Sequence, residues 1–381
     1  RAIAAGFTYG FADTIDLVLE EVRDGRFRRD GAWQPLRVRK ETLARKKAGP
    51  LEVAVFETDA GVLETPDGAA RVEDGIWAAR AWTCRSDGGA ASLEAMLDLW
   101  AAKDVEAACE AASRVALTAN WLVSGKDGRI AAQQSGLLPR RRRETGLLPL
   151  RGWEPGDLWD GTLPPSALAR VVDPSGGVLV TANDAGHAEW KPVGLTLAMG
   201  SDRADRLREI VAERASSGRA LEAADLGAAQ ADLVSGQARR LLSALDPYLP
   251  DLPAVRLLRA WDRRYDAASK EAVLFERLWA ALGDELFGKG LFGAEAWHAL
   301  RDASLVVPFF FRLFDDVLVR EEGEAWFGGE GKAGLVARVA REACDGLDLD
   351  ALSAWGATRR VFLRHLLFGG KLPPALGFDR G

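Results

Sequence analysis

The chain has 381 residues, 48% hydrophobic and 28% charged, enough to bury a substantial core in one large domain or two. Its net charge of −6 leaves no basic surplus for phosphates, which argues against nucleic acid as a partner. No apolar run reaches membrane-span length; 305–311 is the longest, and Pro308 interrupts it.

In chain order, 2–8 and 15–22 read as strands, being rich in small, β-branched and apolar residues. Asp30-Gly31, between 26–29 and 33–38, predicts a two-residue hairpin turn. Strands follow at 51–57 and 76–83. Ser92 reads as the N-cap of a helix over 93–102, and helical spacing continues over 105–117. A hairpin, 120–124 and 129–134, turns at Lys126-Asp127-Gly128. The Gly/Pro-rich stretch 136–177 predicts long surface connections anchored by Trp153 and Trp159. Within it, the arginine run 140–143 reads as a solvated loop, because Pro139 and Glu144 flank it and no aromatics interleave. The apolar segment 177–182 predicts a strand buried on both faces. From 201 the pattern turns helical, over 202–214, 220–245, 254–264, 270–286, 294–312, 332–344 and 349–367. The expectation is an α+β fold with a strand-rich region, 1–200, and a mainly helical region, 201–381.

Generic catalytic motifs are missing: there is no Gly-x-Ser-x-Gly elbow, Walker A loop or His-Glu-x-x-His. His187, His298 and His365 are too scattered for a histidine metal site, and Cys84, Cys109 and Cys344 make neither a metal cluster nor a disulfide framework. Residues 288–293 spell Gly-x-Gly-x-x-Gly, but a dinucleotide fingerprint must follow a strand, and the preceding segment is helical. A flexible turn between helices is the better reading. The chain opens on Arg1 rather than Met, so the lack of a signal-like segment is no evidence for the cytoplasm.

Longer signals are more specific. The opening run from Arg1 through Tyr9, Asp13, Ile15 and Asp16 to Glu20 resembles the "R-I-A-W-G-x-T" and "D-x-x-D-x-x-x-E" segments of the penicillin acylase family of N-terminal-nucleophile hydrolases. Asn120-Trp121 with Asp127-Gly128-Arg129-Ile130 resembles the family's "N-W-x-x-A-D-x-x-G-N-I-G-Y" hairpin. Leu148-Pro149-Leu150-Arg151-Gly152-Trp153 resembles "L-P-V-P-G-W", and Trp159-Asp160-Gly161 with Pro164 resembles "W-x-G-x-x-P". The run from Ser175 to Asp184 resembles "S-G-F-I-V-T-A-N-N"; Gln230, Asp232 and Ser235 resemble "Q-x-D-x-x-S"; Trp261-Asp262 resembles "W-D-G". Trp355-Gly356 and His365-Leu366-Leu367 resemble the late "W-G … H-P-L" region. Each motif alone is weak, but they are collinear over nearly the whole chain.

The resemblance implies part of an αββα sandwich with a large helical accessory region, and an amide hydrolase that deacylates a β-lactam, an N-acyl homoserine lactone or another small N-acyl compound. The family's nucleophile is a serine exposed by autoproteolysis, whose α-amino group acts as base. That group titrates near neutrality. Motif order puts this serine ahead of Arg1, so this chain alone is expected to be inactive, with both ends cut. The implied oxyanion donors are the backbone N–H of Tyr9, where the family usually has a small residue, and the side chain of Asn183. Arg203 matches an arginine that supports the site. Asp13, the Ile15 carbonyl and Asp16 match a calcium-binding segment, with Gly146 standing where the family has a proline carbonyl. Catalysis needs no cofactor in this reading; an α-subunit from the same precursor is the expected partner, and export to the periplasm or medium is usual.

On residues alone, Asn183 reads as a strand-end turn amide, Arg203 as a solvated residue in a helix's first turn, and the acidic segment as a solvated loop. A non-catalytic binding relative and an unrelated helical interaction protein are the competing readings. Separation of Tyr9 from Asn183 in space would favour the last.

Overall fold

The computed structural model describes residues 2–66, 68–85, 88–142, 146–186, 189–195, 197–303 and 311–359. The readings at His187, His365, Glu144, 305–310 and 360–367 lie outside the described residues. The chain divides into two units, Arg1–Ala198 and Met199–Gly381.

In the first unit, β1 (Ile3–Tyr9), β2 (Ile15–Arg23), β3 (Arg26–Arg29), β4 (Ala32–Pro35), β5 (Arg37–Leu43), β6 (Leu51–Glu57), β7 (Val62–Leu63), β8 (Gly75–Trp82), β9 (Ala119–Gly125), β10 (Ile130–Ser135), β11 (Leu150–Arg151) and β12 (Arg170–Val172) form two sheets among the described residues. One runs β1-β9-β10-β12, all antiparallel. The other runs β4-β3-β2-β8-β7-β6-β5, with β11 beside β2 in parallel. Helices α1 (Gly88–Ala101) and α2 (Val105–Ser113) cover one face of the first sheet.

That face works because α2 is small where it touches the sheet. Ala108, Ala111 and Ala112 are buried against Ala119, Trp121, Val123 and Ala131, so helix and sheet approach closely. Asp104 caps α2 by accepting from the Ala107 N–H at 2.8 Å, a contact of about 1 kcal/mol. Ser92, expected as an N-cap, lies inside α1 instead; its hydroxyl bonds back to the Gly88 carbonyl and accepts from the Ala116 N–H. The hairpin at Asp30-Gly31 forms with both residues at positive φ, and Asp24-Gly25 makes a second turn of the same kind between β2 and β3.

Strand β2 sets the chemistry of the second sheet. Its burial alternates, with Asp16, Val18, Glu20 and Val22 inward. Glu20 is fully buried and Arg29 nearly so, joined by Nη2 to Oε1 at 2.8 Å. Thr58 donates a second hydrogen bond to Oε1 at 2.8 Å, and Asp59 takes the Arg29 Nε at 3.0 Å. Burial pushes the Glu20 carboxyl above its ordinary range against the pull of Arg29 and Thr58. Gly152 makes room for this pair: a Cβ there would lie 2.2 Å from Glu20 Oε2 and 2.7 Å from Arg29 Nη1. Gly152→Ala is therefore expected to lose about 1–3 kcal/mol to overpacking. Denaturant unfolding would read this loss, and an unshifted midpoint would show that the pair yields freely.

Two expectations for this unit fail. Residues 177–182 form no strand, because no described strand pairs with them, Gly177 turns the chain at φ +64 and Val178 is exposed. The stretch 136–177 is not all surface connection: it contributes β11 and β12, and Leu150 is buried against Val18.

The second unit is helical: α3 (Asp202–Ser216), α4 (Ala223–Gln230), α5 (Gly236–Leu245), α6 (Pro253–Ala260), α7 (Glu271–Gly283), α8 (Ala294–His298), α9 (Phe311–Arg320), α10 (Glu324–Phe327), α11 (Gly331–Cys344) and α12 (Trp355–Thr358). Its core gathers Leu241 and Leu245 of α5, Leu274, Phe275, Leu278 and Leu282 of α7, and Val336 and Val339 of α11. Asp315 is buried inside it, pushed upward in pKa by desolvation and held by Trp279 Nε1 and Gln237 Nε2, each at 2.7 Å.

Several helices end earlier than their periodicity predicts. The pattern 220–245 breaks after Gln230, since Asp232 leaves the helix to take Arg206 and Ser235 caps α5. The pattern 254–264 stops at Ala260, and Arg263 adopts φ +69. Of 349–367, only Trp355–Thr358 is helical among the described residues. In contrast, α7 runs on as a π-helical segment, Asp284–Leu291, through the Gly-x-Gly-x-x-Gly run. The run therefore follows a helix, and it is no flexible turn: Trp297 packs on Gly283 and Gly288 and donates its indole N–H to Asp284.

Candidate active site

The site begins at the end of β1. Gly10 donates to the Thr118 carbonyl at 2.9 Å, so even positions of this ladder face β9 and odd positions face away from it. Tyr9 is odd. Its N–H and carbonyl both point to the far edge, where β1 is the outermost described strand.

The segment carrying Asn183 lies along that edge. Asn183 Nδ2 donates to the Tyr9 carbonyl at 2.8 Å, and the hydroxyls of Thr8 and Thr181 meet at 2.8 Å. Tyr9 and Asn183, 174 residues apart, are thus in contact. The turn is fixed locally. Asn183 has φ +68, a left-handed conformation that asparagine tolerates better than most residues, and the buried Asp184 accepts from the Ala182 N–H at 3.2 Å. A backbone N–H and a carboxamide at one sheet edge are the donors that acyl-transfer chemistry needs for a developing oxyanion. The Tyr9 ring is exposed, and ring contacts run from Phe7 through Tyr9 to Phe11.

The acidic segment is placed differently from a solvated loop. Asp16 points inward from β2, and Asp13 precedes that strand with its N–H on the Gly194 carbonyl at 2.8 Å. The Ile15 N–H reaches Asp13 Oδ1 at 3.3 Å. Between the two carboxylates lies Arg141, with Nε 2.8 Å from Asp16 Oδ2 and Nη2 3.0 Å from Asp13 Oδ2. The solvated arginine loop is therefore corrected at this residue. The Arg141 side chain is 11% exposed, against 55% for Arg140 and 56% for Arg142. Gly146 sits in a turn at φ +126. Among the described residues no group of three or more His, Cys, Asp or Glu side chains is placed to hold a metal ion.

Arg203 belongs to the second unit, exposed in the first turn of α3. Its neighbour Asp202 pairs with Arg240 and Arg312. Sequence reasoning missed Arg141, Asp184 and the Trp159 indole on Asp16. In the sequence Trp159 reads only as an anchor, and nothing in the arginine run distinguishes the one that turns inward.

A mixed α+β scaffold built mainly of antiparallel sheets defines the fold class, and comparison with known proteins gives the family. A family model described as Penicillin amidase matches residues 1–381. The chain belongs to the penicillin amidase family. It is 36% identical over 185 residues to the acyl-homoserine lactone acylase QuiP of Pseudomonas fluorescens (strain Pf0-1), covering 48% of this chain and 22% of that protein. It is 32% identical over 293 residues to the penicillin acylase 2 proenzyme of Pseudomonas sp. (strain SE83), covering 74% and 36%. A thermostable penicillin G acylase from Alcaligenes faecalis superposes with a TM-score of 0.72 at 18% identity, over 90% of this chain and 66% of that one, and shares its fold. The chain spans 22% to 40% of the first curated relatives it matches.

Proposed function

We propose that the protein hydrolyses the amide bond of a small N-acyl compound, an N-acyl homoserine lactone or a β-lactam. The observation that carries this reading is the contact of Asn183 with Tyr9 at the outer edge of β1. The nucleophile in this reading is an autoprocessed N-terminal serine of the whole protein, with its own amino group as base. Attack on the acyl carbonyl forms a tetrahedral oxyanion, which accepts from the Tyr9 N–H and Asn183 Nδ2. Its collapse expels the amine with a proton returned from the base. Water then releases the acid and regenerates the serine. An α-subunit from the same precursor completes the acyl pocket.

The test is release of free amine from N-acyl homoserine lactones and penicillins of graded acyl length, using the native purified protein. Turnover of at least one series supports the reading, and no release from any of them sinks it. Tyr9 acts through its backbone, so its ring is available to set acyl preference. Tyr9→Ala is expected to change the preferred acyl length in kcat/KM while kcat falls less than about tenfold. A hundredfold loss of kcat on every substrate would contradict that division of labour.

A further inference from the structure

Asp13, the Ile15 carbonyl and Asp16 correspond by position to a calcium segment, but the group lodged between the carboxylates is a cation of the chain itself. Arg141 Nε donates to Asp16 Oδ2 at 2.8 Å, and its Nη2 reaches both Asp13 Oδ2 at 3.0 Å and the Asp13 carbonyl at 3.4 Å. Trp159 Nε1 donates to the same Asp16 oxygen at 2.6 Å. The Asp16 side chain is 2% exposed, so its charge has been taken out of water and met there by a guanidinium.

These residues do not fit a calcium ion. Calcium gathers six to eight oxygen ligands at about 2.3–2.6 Å. Asp16 Oδ2 already carries two N–H donors, and a divalent ion at these oxygens would face the guanidinium across a few ångströms of poorly solvated interior. The same device recurs four residues along β2, where buried Glu20 is met by Arg29.

We infer that Arg141 is a built-in cation that replaces a divalent ion at this position and, with Trp159, holds the connection between Tyr9 and β2 in place. The inference is independent of the hydrolase reading.

Thermal unfolding of the native protein is compared in excess calcium and in chelator, with calcium binding measured by titration calorimetry. The expected midpoint is the same in both conditions. Arg141→Met should lower the midpoint by about 5–10 °C, and Arg141→Lys, which keeps the charge, by distinctly less. A wild-type midpoint that falls on chelation, or one calcium per chain whose binding is lost in Asp16→Asn, overturns the inference. So does an Arg141→Met midpoint equal to wild type. If Arg141→Met does not fold, the wild-type measurement and Arg141→Lys still decide.

Discussion

Asn183→Ala is expected to lower amide hydrolysis by about 10²–10³ in kcat with little change in KM, because an oxyanion donor acts in the transition state rather than in the ground state. The carboxamide is oriented before substrate arrives: one N–H is spent on the Tyr9 carbonyl at 2.8 Å, which fixes the plane of the second. The substitution has a backbone side effect, since φ +68 suits asparagine better than alanine and the strain costs about 1–2 kcal/mol. Asn183→Gly removes that strain and the amide together, so it should fold like wild type and be as slow as Asn183→Ala. Kinetics at saturating substrate, with unfolding midpoints measured alongside, separate the two effects. Turnover of Asn183→Gly within threefold of wild type would exclude the oxyanion role.

The largest effect on stability is expected from Arg29→Met. Breaking a buried ion pair at one partner leaves the other charged in a poorly solvated interior, at about 3–5 kcal/mol, a large fraction of the stability of an ordinary domain. Glu20 has no exposure to fall back on. The variant should also be pH-dependent in a defined sense. Burial already raises the Glu20 carboxyl, and losing Arg29 removes the hydrogen bond and positive charge that lower it. A carboxyl with a raised folded pKa contributes stability that is full below its unfolded value, about 4.3, and is lost as pH rises through the folded value. The deficit of Arg29→Met should therefore be smaller at pH 5 than at pH 8, read from unfolding midpoints at both. Adding Glu20→Gln should recover part of the loss at pH 8. A deficit equal at both pH values would mean that packing, not charge, holds this pair.

The sequence was readable where local rules and tertiary structure agree. Alternation and turn chemistry located β1, β2, the Asp30-Gly31 hairpin and the β9–β10 hairpin within a residue or two. The collinear motifs put Tyr9 and Asn183 in one site, and the fold brings them into contact. The errors come from long-range partners. Residues 177–182 are as apolar as a buried strand, but a strand needs an edge to pair with, which composition does not report. Ser92 looks like a cap because its hydroxyl suits one, whereas in the fold that hydroxyl serves the Ala116 N–H from within α1. The arginine run reads as solvated because Pro139 and Glu144 flank it and no aromatics interleave, and only the position of Asp13 and Asp16, 125 or more residues away, selects Arg141.

The inward face of β2 bears on how the strand finds its register. Judged by hydrophobicity alone, Ile15, Leu17 and Leu19 form the better core stripe, yet Ile15 and Leu17 are 44% and 43% exposed while Asp16 and Glu20 are buried. A slip of one residue would satisfy the hydrophobic effect more fully. It would also strand two guanidiniums, Arg29 and Arg141, without their carboxylates. The two ion pairs thus act as a lock with two wards, accepting one alignment of β2 and rejecting the greasier one beside it. What they add is less the strength of the sheet than its uniqueness.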